Sequence, residues 1–416
     1  MELLYKIGIS LFSLAVRFAS LFNEKAKQFV IGRKGWRETL KNQVEKDARY
    51  IWFHCASLGE FEQGRPVIEE IRSQFQEYKI VLTFFSPSGY EIRKNYEGAD
   101  VISYLPLDTK KNAQAFIDIV KPEKVFFIKY EFWYYFISEL KERNISLYIV
   151  SAIFRENQQF FKNTFWGRWY RQTLFKFEHF FVQNETSAQL LRNIGLNNIS
   201  VAGDTRFDRV AAIAKAAKKI TAVEKFKGES LLFIAGSTWK PDEELLIEFI
   251  NRYGNAKFVI APHEVSGANI NRIHELLKRP AISMSKITET EVDKYEVLII
   301  DSIGLLSSLY QHGNVAYIGG GFGVGIHNIL EAATFGMPIV FGPNYKKFKE
   351  AVDLISDGGA FSIDKYSELE QLFLRLISEK KFVNDTKEIT RKYVEKNVGS
   401  TKFIIKKVFN TANHLD

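Results

Sequence analysis

The amino-acid sequence predicts an α/β protein with two doubly wound parallel sheets of similar size. Its 416 residues are too many for one hydrophobic core, because single cores stop growing at roughly 250–300 residues. Short apolar runs rich in β-branched and aromatic residues alternate with helical patterns along most of the chain, which is typical of parallel sheets covered by helices. A composition of 46% hydrophobic and 25% charged residues is ordinary for a globular protein.

Residues 1–48 precede both sheets and predict a membrane-proximal helix followed by a basic segment. The run "LLYKIGISLFSLAVRFASLF" (3–22) is apolar except for polar residues at helical spacing, which indicates an amphipathic helix. It is about long enough to span a bilayer, but an arginine inside the bilayer would be costly. We therefore expect it to lie in the membrane surface, with the basic residues on anionic headgroups; packing on its own domain is the alternative. The polar residues of the helix are Lys6, Ser10, Ser13, Arg17 and Ser20, and the basic run is Lys25, Lys27, Arg33, Lys34 and Arg37.

Charge and aromatic residues bear on the partners of the chain. The net charge is +8, and the first 50 residues hold ten Lys and Arg against five Asp and Glu. This favours an anionic lipid surface as partner; nucleic acid, the other common partner of a basic chain, is not expected. The stretch 154–177, with nine aromatic and five basic residues, suits a membrane interface, nucleic-acid stacking or, in part, the core. Cys55 is the only cysteine, which excludes an intrachain disulfide and a cysteine metal cluster.

Two series of strand patterns define the predicted domains, 49–205 and 229–395, facing a central cleft. Between them, residues 206–228 are rich in Ala and Lys and predict a linker, and residues 396–416 predict a C-terminal helix. In doubly wound sheets, ligands bind outside the carboxyl ends of the strands. The strand runs are "YIWFHC", "KIVLTFF", "ADVISYLP", "EKVFFIK", "ISLYIVSAI", "EHFFVQN" and "ISVAG" in the first series, and "SLLFIAGS", "AKFVIAP", "YEVLIID", "NVAYIGG", "MPIVFG" and "GGAFSI" in the second.

A glycine-rich stretch, "GGGFGVGIHNILEAATFG" (319–336), follows one strand of the second series. Glycines let the backbone approach a ligand, and a helix predicted to begin near Ile326 would turn its N-terminus toward an anion. The stretch therefore predicts a phosphate site, although it matches neither the Walker pattern nor a clean G-x-G-x-x-G; a structural turn is the alternative. Glu331 is placed to accept bonds from a ribose, or is a solvated helix carboxylate. The remaining candidates here are Gly320, Gly321, Gly323, His327 and Asn328.

Other strand ends of the chain carry further candidates for an anionic ligand. Ser237 and Thr238 in "AGSTWKPDEE" are placed to bond a phosphate or to cap the helix that follows. His263 in "APHEV" is a possible donor to an anion or a surface histidine, and Arg206 in "DTRFD" is an anion ligand or an ordinary ion-pair residue. No D-x-D, H-E-x-x-H or C-x-x-C pattern indicates a metal, and no G-x-S-x-G indicates a hydrolase.

Two carboxylates follow strands of the first series. Glu60 in "HCASLGEFEQG" is placed to act as a general base on a substrate hydroxyl. The alternative is a capping box in which Ser57 caps the helix and Glu60 reaches back to the backbone. Glu131 in "KYEFW" is the second carboxylate, with a first-turn helix residue as its alternative. The stretch "FSPSGYE" lies at an equivalent strand end.

Taken in order, these motifs resemble those of the 3-deoxy-D-manno-octulosonic acid (Kdo) transferases of Gram-negative bacteria. The resemblance extends over the whole chain, from the membrane-proximal N-terminus to the glycine-rich stretch, whose block is the most specific. The motifs that carry it are "HCASLGE", "SPSG", "YLPLD", "KYEFW", "VQNE", "GDTRFD", "GSTWKPDEE" and "GGGFGVGIHNILEAATFGMPIVFGP".

The resemblance implies a GT-B glycosyltransferase with two Rossmann-like domains on the cytoplasmic face of the inner membrane. Such an enzyme transfers Kdo from CMP-Kdo to a lipid A precursor with inversion of the anomeric centre, and without a cofactor or a nucleotide-binding metal. It implies Glu60 as the base and Glu131 as the second catalytic glutamate. The expected CMP-Kdo residues are Arg206, Ser237, Thr238, His263, Gly320, Gly321, Gly323, His327, Asn328 and Glu331, and the expected acceptor residues are Ser57, Gly59, Ser86, Ser88 and Lys129.

The chain departs from the family pattern in two places. An alanine precedes Pro262 and His263 follows it directly, where the family commonly has Pro-Arg-His, and Lys129 stands where an acidic residue is usual. The alternatives are another GT-B glycosyltransferase or epimerase that uses a nucleotide-diphosphate sugar, or a non-catalytic lipid-binding protein. The amphipathic N-terminus argues against a soluble epimerase. A test of CMP binding would distinguish the transferase from the non-catalytic lipid-binding protein.

Overall fold

The computed structural model describes residues 1–254, 256–288 and 292–409. The chain forms two compact units. Unit 1 contains Met1–Asp208 and the chain from Gly399 onward, and unit 2 contains Arg209–Val398. Residues 410–416 of the predicted C-terminal helix lie outside the described residues, as do residues 255 and 289–291 of the predicted second domain.

Unit 1 is built on a seven-stranded parallel sheet with the strand order β3-β2-β1-β4-β5-β6-β7. Alternate residues of its strands enter two apolar clusters: Trp52 faces one with Leu40 and Phe116, and Phe53 faces the other with Phe61. Helices therefore cover both faces, as expected for a parallel sheet. The strands are β1 (Arg49–Cys55), β2 (Tyr78–Phe84), β3 (Val101–Tyr104), β4 (Pro122–Ile128), β5 (Ser146–Ala152), β6 (His179–Val182) and β7 (Ile199–Val201), and the helices are α1 (Glu2–Ala19), α2 (Glu24–Ile31), α3 (Trp36–Gln43), α4 (Leu58–Gln74), α5 (Pro87–Arg93), α6 (Lys110–Val120), α7 (Tyr134–Glu142), α8 (Phe165–Arg171) and α9 (Glu185–Arg192).

Unit 2 has a second seven-stranded parallel sheet with the order β10-β11-β9-β8-β12-β13-β14. The linker predicted at 206–228 is helical, as α10 (Arg206–Ala216) and α11 (Thr221–Lys227), and the chain ends in unit 1 with α19 (Ser400–Phe409). The strands are β8 (Leu232–Thr238), β9 (Lys257–Pro262), β10 (Ala281–Ser283), β11 (Val297–Ile299), β12 (Val315–Ile318), β13 (Ile339–Phe341) and β14 (Ala360–Ser362), and the other helices are α12 (Lys240–Arg252), α13 (Gly267–Leu276), α14 (Leu306–Leu309), α15 (Leu330–Ala333), α16 (Lys349–Asp357), α17 (Tyr366–Ser378) and α18 (Lys380–Asn397).

The predicted strand runs all form strands, so two doubly wound α/β units are confirmed. The sequence analysis missed the three-residue edge strand β10. In unit 1 the strand order reverses between β1 and β4, and in unit 2 between β8 and β12. Ligands of doubly wound sheets bind at such switch points, outside the carboxyl ends of the strands. The four strand ends to examine are therefore those of β1, β4, β8 and β12.

The N-terminal segment forms an amphipathic helix, as predicted. On the inner side of α1, the Tyr5 hydroxyl donates to Asp108 Oδ2 at 2.5 Å, and the Phe12 ring lies 5.9 Å from that of Phe29. Seven large apolar side chains of α1 are exposed, from 39% at Phe12, which is also in contact with Phe29, to 68% at Leu3. Among the described residues, no helix combines the length and apolar character needed to cross a membrane. The seven exposed side chains are Leu3, Leu4, Ile7, Leu11, Phe12, Leu14 and Phe18.

Arg33 was predicted to face anionic headgroups together with the rest of the basic run, and for this residue the prediction is wrong. Its guanidinium donates to three backbone carbonyls, those of Phe29, Phe85 and Leu105, at 2.6–3.0 Å. The same group lies 3.6 Å from the centre of the Phe29 ring. Burial lowers its pKa to about 9. Arg33 therefore anchors α2 to unit 1, because its fork satisfies carbonyls that the turns leave free.

Candidate functional site

Glu60 lies in the first turn of α4, just beyond the carboxyl end of β1. Its side chain is half-buried, and the hydroxyl of Ser57 donates to Glu60 Oε2. The predicted capping box is not formed, since within the described chain the Ser57 side chain makes no bond to a backbone N–H of the helix. Ser57 instead holds the carboxylate of Glu60.

Glu131 follows the carboxyl end of β4, on the other side of the switch point. It is 8% exposed and lies in an extended segment before α7, so it is not the first-turn helix residue of the alternative interpretation. Two side chains meet its Oε2 atom: His54 Nε2 at 3.0 Å and Trp133 Nε1 at 2.6 Å. The sequence places each carboxylate after a strand, and the strand order brings Glu60 and Glu131 to adjacent strand ends.

The segment after Glu131 is held by two side chains from other elements, Tyr170 and Asp108. The Tyr170 hydroxyl donates to the carbonyl of Phe132 at 2.7 Å. Asp108, from the "YLPLD" motif, accepts the N–H groups of Tyr135 and Phe136 at 3.0 Å each and so caps α7. Burial raises the pKa of Asp108 to about 6. Because Asp108 also accepts the Tyr5 hydroxyl, helix α1 is linked to the segment that carries Glu131.

The predicted acceptor residues lie around the same strand ends. Gly59 is exposed in the first turn of α4, and Ser86 and Ser88 follow β2 with their hydroxyls 2.7 Å apart. Lys129 has a left-handed backbone with φ of 71°, and its ammonium lies 5.3 Å from the centre of the Tyr130 ring. These side chains leave hydroxyl and ammonium donors at the edge of the sheet that carries Glu60.

Arg206 was predicted among the donor residues, and the structure places it in unit 1. Its Nε and Nη2 atoms donate to Asp204 Oδ2 at 2.9 and 2.8 Å. Asp204 is buried and also accepts the side-chain amide of Gln63 at 3.1 Å. The ion-pair alternative therefore describes Arg206 in this structure.

In unit 2, the carboxyl end of β8 does not present both predicted hydroxyls to a ligand. Ser237 is partly exposed with a left-handed backbone, at φ of 53°, a conformation that costs a non-glycine residue energy and is typical of functional turns. Thr238 is 1% exposed, and its hydroxyl donates to Glu243 Oε1 at 3.0 Å. This position does not suit the predicted donor contact of Thr238, because its hydroxyl is used to hold a buried carboxylate.

The glycine-rich turn after β12 is closed by close backbone contacts. A Cβ on Gly321 would lie 2.5 Å from the Gly342 nitrogen, and one on Gly320 would lie 2.6 Å from the Gly325 carbonyl oxygen. Asp242 accepts the Gly320 N–H at 2.9 Å and so ties the turn to α12. Gly320 and Gly321 are buried, whereas Gly323 is exposed. The first glycines thus permit packing, and the exposed surface of the turn begins near Gly323.

The helix predicted to begin near Ile326 begins at Leu330 and has only four residues. Residues 325–328 stay outside the helix, and the Asn328 side chain accepts the Leu330 N–H at 3.1 Å. Competition of this kind is typical of asparagine, which favours turns and caps over helix interiors. Glu331 accepts the Asn328 amide at 3.1 Å and the Ser307 hydroxyl at 2.5 Å, so its carboxylate is not a free solvated group.

Three aromatic rings form a stack beside the turn. The ring centres of His263 and Trp239 are 4.5 Å apart, and those of His263 and His327 are 4.6 Å apart. Trp239 Nε1 donates to His327 Nε2 at 3.1 Å, so that nitrogen carries no proton. Burial, and next the charge of His263, lower the pKa of His327. A partly exposed stack of this kind offers a flat surface to a planar ligand.

Two lysines border the exposed side of the turn. Lys346 and Lys347 line a cavity of about 610 Å³ with Gly323, Val324 and Asn344, and Lys347 donates to the Val324 carbonyl. The cavity therefore combines cations with polar backbone, which suits an anionic ligand. Among the described residues, no group of three or more His, Cys, Asp and Glu side chains is arranged to hold a metal ion.

Several residues of these sites were missed by the sequence analysis. His54 and Trp239 lie inside motifs that were singled out, but their partners are distant in sequence, 77 and 88 residues away. Lys346 and Lys347 follow β13, where only the preceding strand had been considered. Charged residues after a strand were the one available signal for them.

Comparison with known proteins identifies the family that the motifs resemble. Residues 33–209 match the family model described as 3-deoxy-D-manno-octulosonic-acid transferase (kdotransferase). A 3-deoxy-D-manno-octulosonic acid transferase of Aquifex aeolicus (strain VF5) is 27% identical, over 86% of this chain and 95% of that protein. The enzyme of the same name from Chlamydia trachomatis serovar A is 26% identical, over 81% of this chain and 80% of that protein. The predicted resemblance to the Kdo transferases is confirmed.

Solved structures are similar in fold. A UDP-GlcNAc 2-epimerase from Neisseria meningitidis, bound to UDP-GlcNAc, superposes with a TM-score of 0.60 at 16% identity, covering 87% of this chain and all of that chain. The calicheamicin glycosyltransferase CalG4 gives a TM-score of 0.55 at 11% identity, covering 89% of this chain and 99% of that chain. At these identities the likeness concerns the fold alone, which is of the GT-B kind.

Proposed function

We propose that this protein transfers Kdo from CMP-Kdo to a lipid A precursor, with inversion at the anomeric carbon. The observation that carries the proposal is the placement of Glu60 and Glu131. Both carboxylates lie at the carboxyl ends of the strands that flank the switch point of unit 1, and unit 1 contains the residues that match the Kdo transferase family model. A catalytic carboxylate for a substrate hydroxyl is expected at such a position.

In the proposed reaction an acceptor hydroxyl attacks the anomeric carbon of Kdo. Glu60 takes the proton of that hydroxyl, a new C–O bond forms, and the bond from the anomeric carbon to the phosphate oxygen breaks. The electron pair leaves with CMP. Ser57, which donates to Glu60 Oε2, orients the base, and Glu131 stabilises the positive charge that develops on the sugar. Ser86, Ser88 and Lys129 contribute acceptor contacts.

Unit 2 would bind the nucleotide. The exposed turn at Gly323 and the two lysines at 346 and 347 line a cationic cavity suited to phosphate and carboxylate groups. Ser237, at the carboxyl end of β8, would add a hydroxyl to the nucleotide site. The His263 and His327 rings, stacked with Trp239, provide a flat surface for the base. Glu331, held by Asn328 and Ser307, would accept bonds from a ribose.

Attachment to the inner membrane, on its cytoplasmic face, is also part of the proposal. The exposed apolar side chains of α1 are suited to burial at the headgroup boundary. Arg17 and Lys34 line a cavity of about 570 Å³ between α1 and α2, with no acidic residue in its lining. These cations would meet anionic headgroups, at the surface where a phosphorylated lipid acceptor lies.

Transfer of labelled Kdo from CMP-Kdo to a tetraacylated lipid A precursor tests the proposal. We expect the wild-type protein to be active, and Glu60→Gln to lose activity while still binding CMP. Glu69→Gln, on the same helix but exposed at its far side, is the matched control and should remain active. Wild-type inactivity with this donor would reject the substrate assignment. Activity with a nucleotide-diphosphate sugar would then favour the alternative GT-B enzyme, and failure to bind CMP would favour a lipid-binding protein.

A further inference from the structure

We infer that His54, Thr83 and Trp133 are positioning residues that lock Glu131 in one orientation, with one oxygen bonded inside unit 1 and the other presented to the substrate. The inference rests on the proposed function, because it assigns these residues to the carboxylate that the reaction uses. It does not follow from the motifs, since His54 and Thr83 come from two different strands and Trp133 from a loop.

A chain of hydrogen bonds runs through the interior of unit 1 to Glu131. His54 and Thr83 are both 0% exposed. Trp52 Nε1 donates to Thr83 Oγ1 at 2.8 Å, and Thr83 Oγ1 lies 2.9 Å from His54 Nδ1. His54 Nε2 then lies 3.0 Å from Glu131 Oε2. Each polar atom on this path has a partner, as buried polar groups require.

The distances indicate which way the protons point. The Thr83 hydroxyl is 3.3 Å from the carbonyl of Phe53 but 2.9 Å from His54 Nδ1. Because the contact with the histidine is shorter, we infer that the hydroxyl donates its proton to Nδ1. His54 then carries its proton on Nε2 and donates to Glu131. The opposite tautomer would place a bare nitrogen against the Glu131 carboxylate, which is unfavourable.

Trp133 completes the hold on the carboxylate. Its indole N–H lies 2.6 Å from Glu131 Oε2 and 3.1 Å from His54 Nε2, and the shorter of the two contacts, to the carboxylate, is the stronger bond. The Trp133 ring packs on Phe85 with centres 4.5 Å apart. Both donors therefore converge on the same oxygen. Glu131 Oε1 makes no hydrogen bond to a described residue, and it is not among the unpartnered buried atoms. The free oxygen is thus the one that remains accessible.

A carboxylate bonded in this way cannot rotate without breaking two bonds inside the protein. A preoriented carboxylate acts on the transition state without first reorganising. The effect of losing a positioning residue should therefore appear in kcat, while the binding of the substrates is retained.

Thr83→Val and Thr83→Ser provide a matched pair. Valine keeps the shape of threonine but removes the hydroxyl that bonds His54, and serine restores it. We expect Thr83→Val to lower kcat by about tenfold or more with KM for both substrates within about twofold of wild type, and Thr83→Ser to retain most of the activity. Trp133→Phe, which keeps the ring and removes the N–H, should behave like Thr83→Val. Equal kcat values for all three variants and wild type would overturn the inference.

If Thr83 and Trp133 only stabilised the fold, their variants would differ from wild type in thermal midpoint but not in kcat. The thermal midpoint of each variant is therefore measured as well. Nitrogen NMR of histidine-labelled protein gives a readout that does not depend on activity. We expect a proton on His54 Nε2 in wild type and a changed resonance in Glu131→Gln. A proton on Nδ1 instead would overturn the inference even in an active enzyme. If wild type fails to transfer Kdo while the NMR result holds, the proposed function fails and the described geometry stands.

Discussion

The switch points of the two sheets are alike in topology but differ in how they use acidic residues. After β1 and β4 of unit 1, Glu60 and Glu131 each have one oxygen held by side chains, and neither is fully buried: Glu60 is half-buried and Glu131 is 8% exposed. After β8 of unit 2, Asp242 and Glu243 are both 0% exposed and hold the protein itself together. The sheet topology therefore determines where a site can lie. The hydrogen-bond partners of each carboxylate determine whether it is available to a ligand or stabilises the protein itself.

The difference has a simple physical origin. Asp242 accepts the N–H groups of Trp239 and Gly320, each at 2.9 Å, and the hydroxyl of Tyr317 at 2.8 Å. Burial raises the pKa values of both Asp242 and Glu243. A buried carboxylate with this many donors stabilises a loop of glycines that has few side chains of its own. Asp242 thus stabilises the glycine-rich turn after β12 from the buried side of unit 2.

The largest expected effect is a loss of activity on substitution of Glu60 in unit 1. Glu60→Gln keeps the size of the side chain but removes the proton acceptor, so we expect kcat to fall about a hundredfold or more, with little change in thermal midpoint. Radiolabel transfer and CMP binding measured on the same preparation check this. If the variant keeps full activity, the base lies elsewhere, and Glu131→Gln becomes the decisive variant.

The corresponding substitution in unit 2 should have the opposite signature. Glu243→Gln loses the charge that pairs with Arg272 and weakens the bond from Thr238. We expect a loss of about 2–3 kcal/mol in the free energy of unfolding, with kcat of the folded enzyme unchanged. Chemical denaturation gives the free energy, and activity per CMP site gives kcat. A large drop in kcat without loss of stability would show that Glu243 serves the reaction.

Asp108 in unit 1 is expected to make the free energy of unfolding depend on pH. Its pKa is raised by burial to about 6, above the usual value of about 3.9. The folded state therefore binds this proton more tightly than the unfolded state, and its contribution is present below pH of about 4 and lost as the pH rises through about 6. We expect wild type to lose about 2 kcal/mol of unfolding free energy across this window relative to Asp108→Asn. Parallel pH slopes in denaturant titrations of the two proteins would contradict this.

The smallest effect concerns the aromatic stack of unit 2. Trp239→Phe keeps a ring beside His263 but removes the N–H that donates to His327. We expect CMP to bind only a few times more weakly, because one exposed hydrogen bond contributes about 1 kcal/mol. Calorimetric titration with CMP measures the change, and Trp166→Phe on α8 of unit 1 serves as the control. An unchanged affinity would show that the stack does not contact the nucleotide.

The sequence predicted the strand ends of the candidate site better than the partners of the residues there. Both "GEFE" after β1 and "KPDEE" after β8 place acidic residues in the first turn of a helix, and nothing in the spacing tells an exposed carboxylate from a buried one. The capping box at Ser57, offered as an alternative, and the donor role of Thr238 both came from local pattern. Their actual partners are Glu60 and Glu243, which only side-chain packing selects.

The sequence by itself determined the two doubly wound units, the order of their strands along the chain and the motifs at their carboxyl ends. These features follow from local periodicity and from glycine, which are legible within windows of a few residues. Tertiary structure alone decided that Arg33 bonds backbone carbonyls inside unit 1, that Asp108 links α1 to the Glu131 segment, and that His54 bonds Glu131. These contacts join residues from about 50 to 100 positions apart, and their energy depends on burial, which appears only when the sheet is assembled.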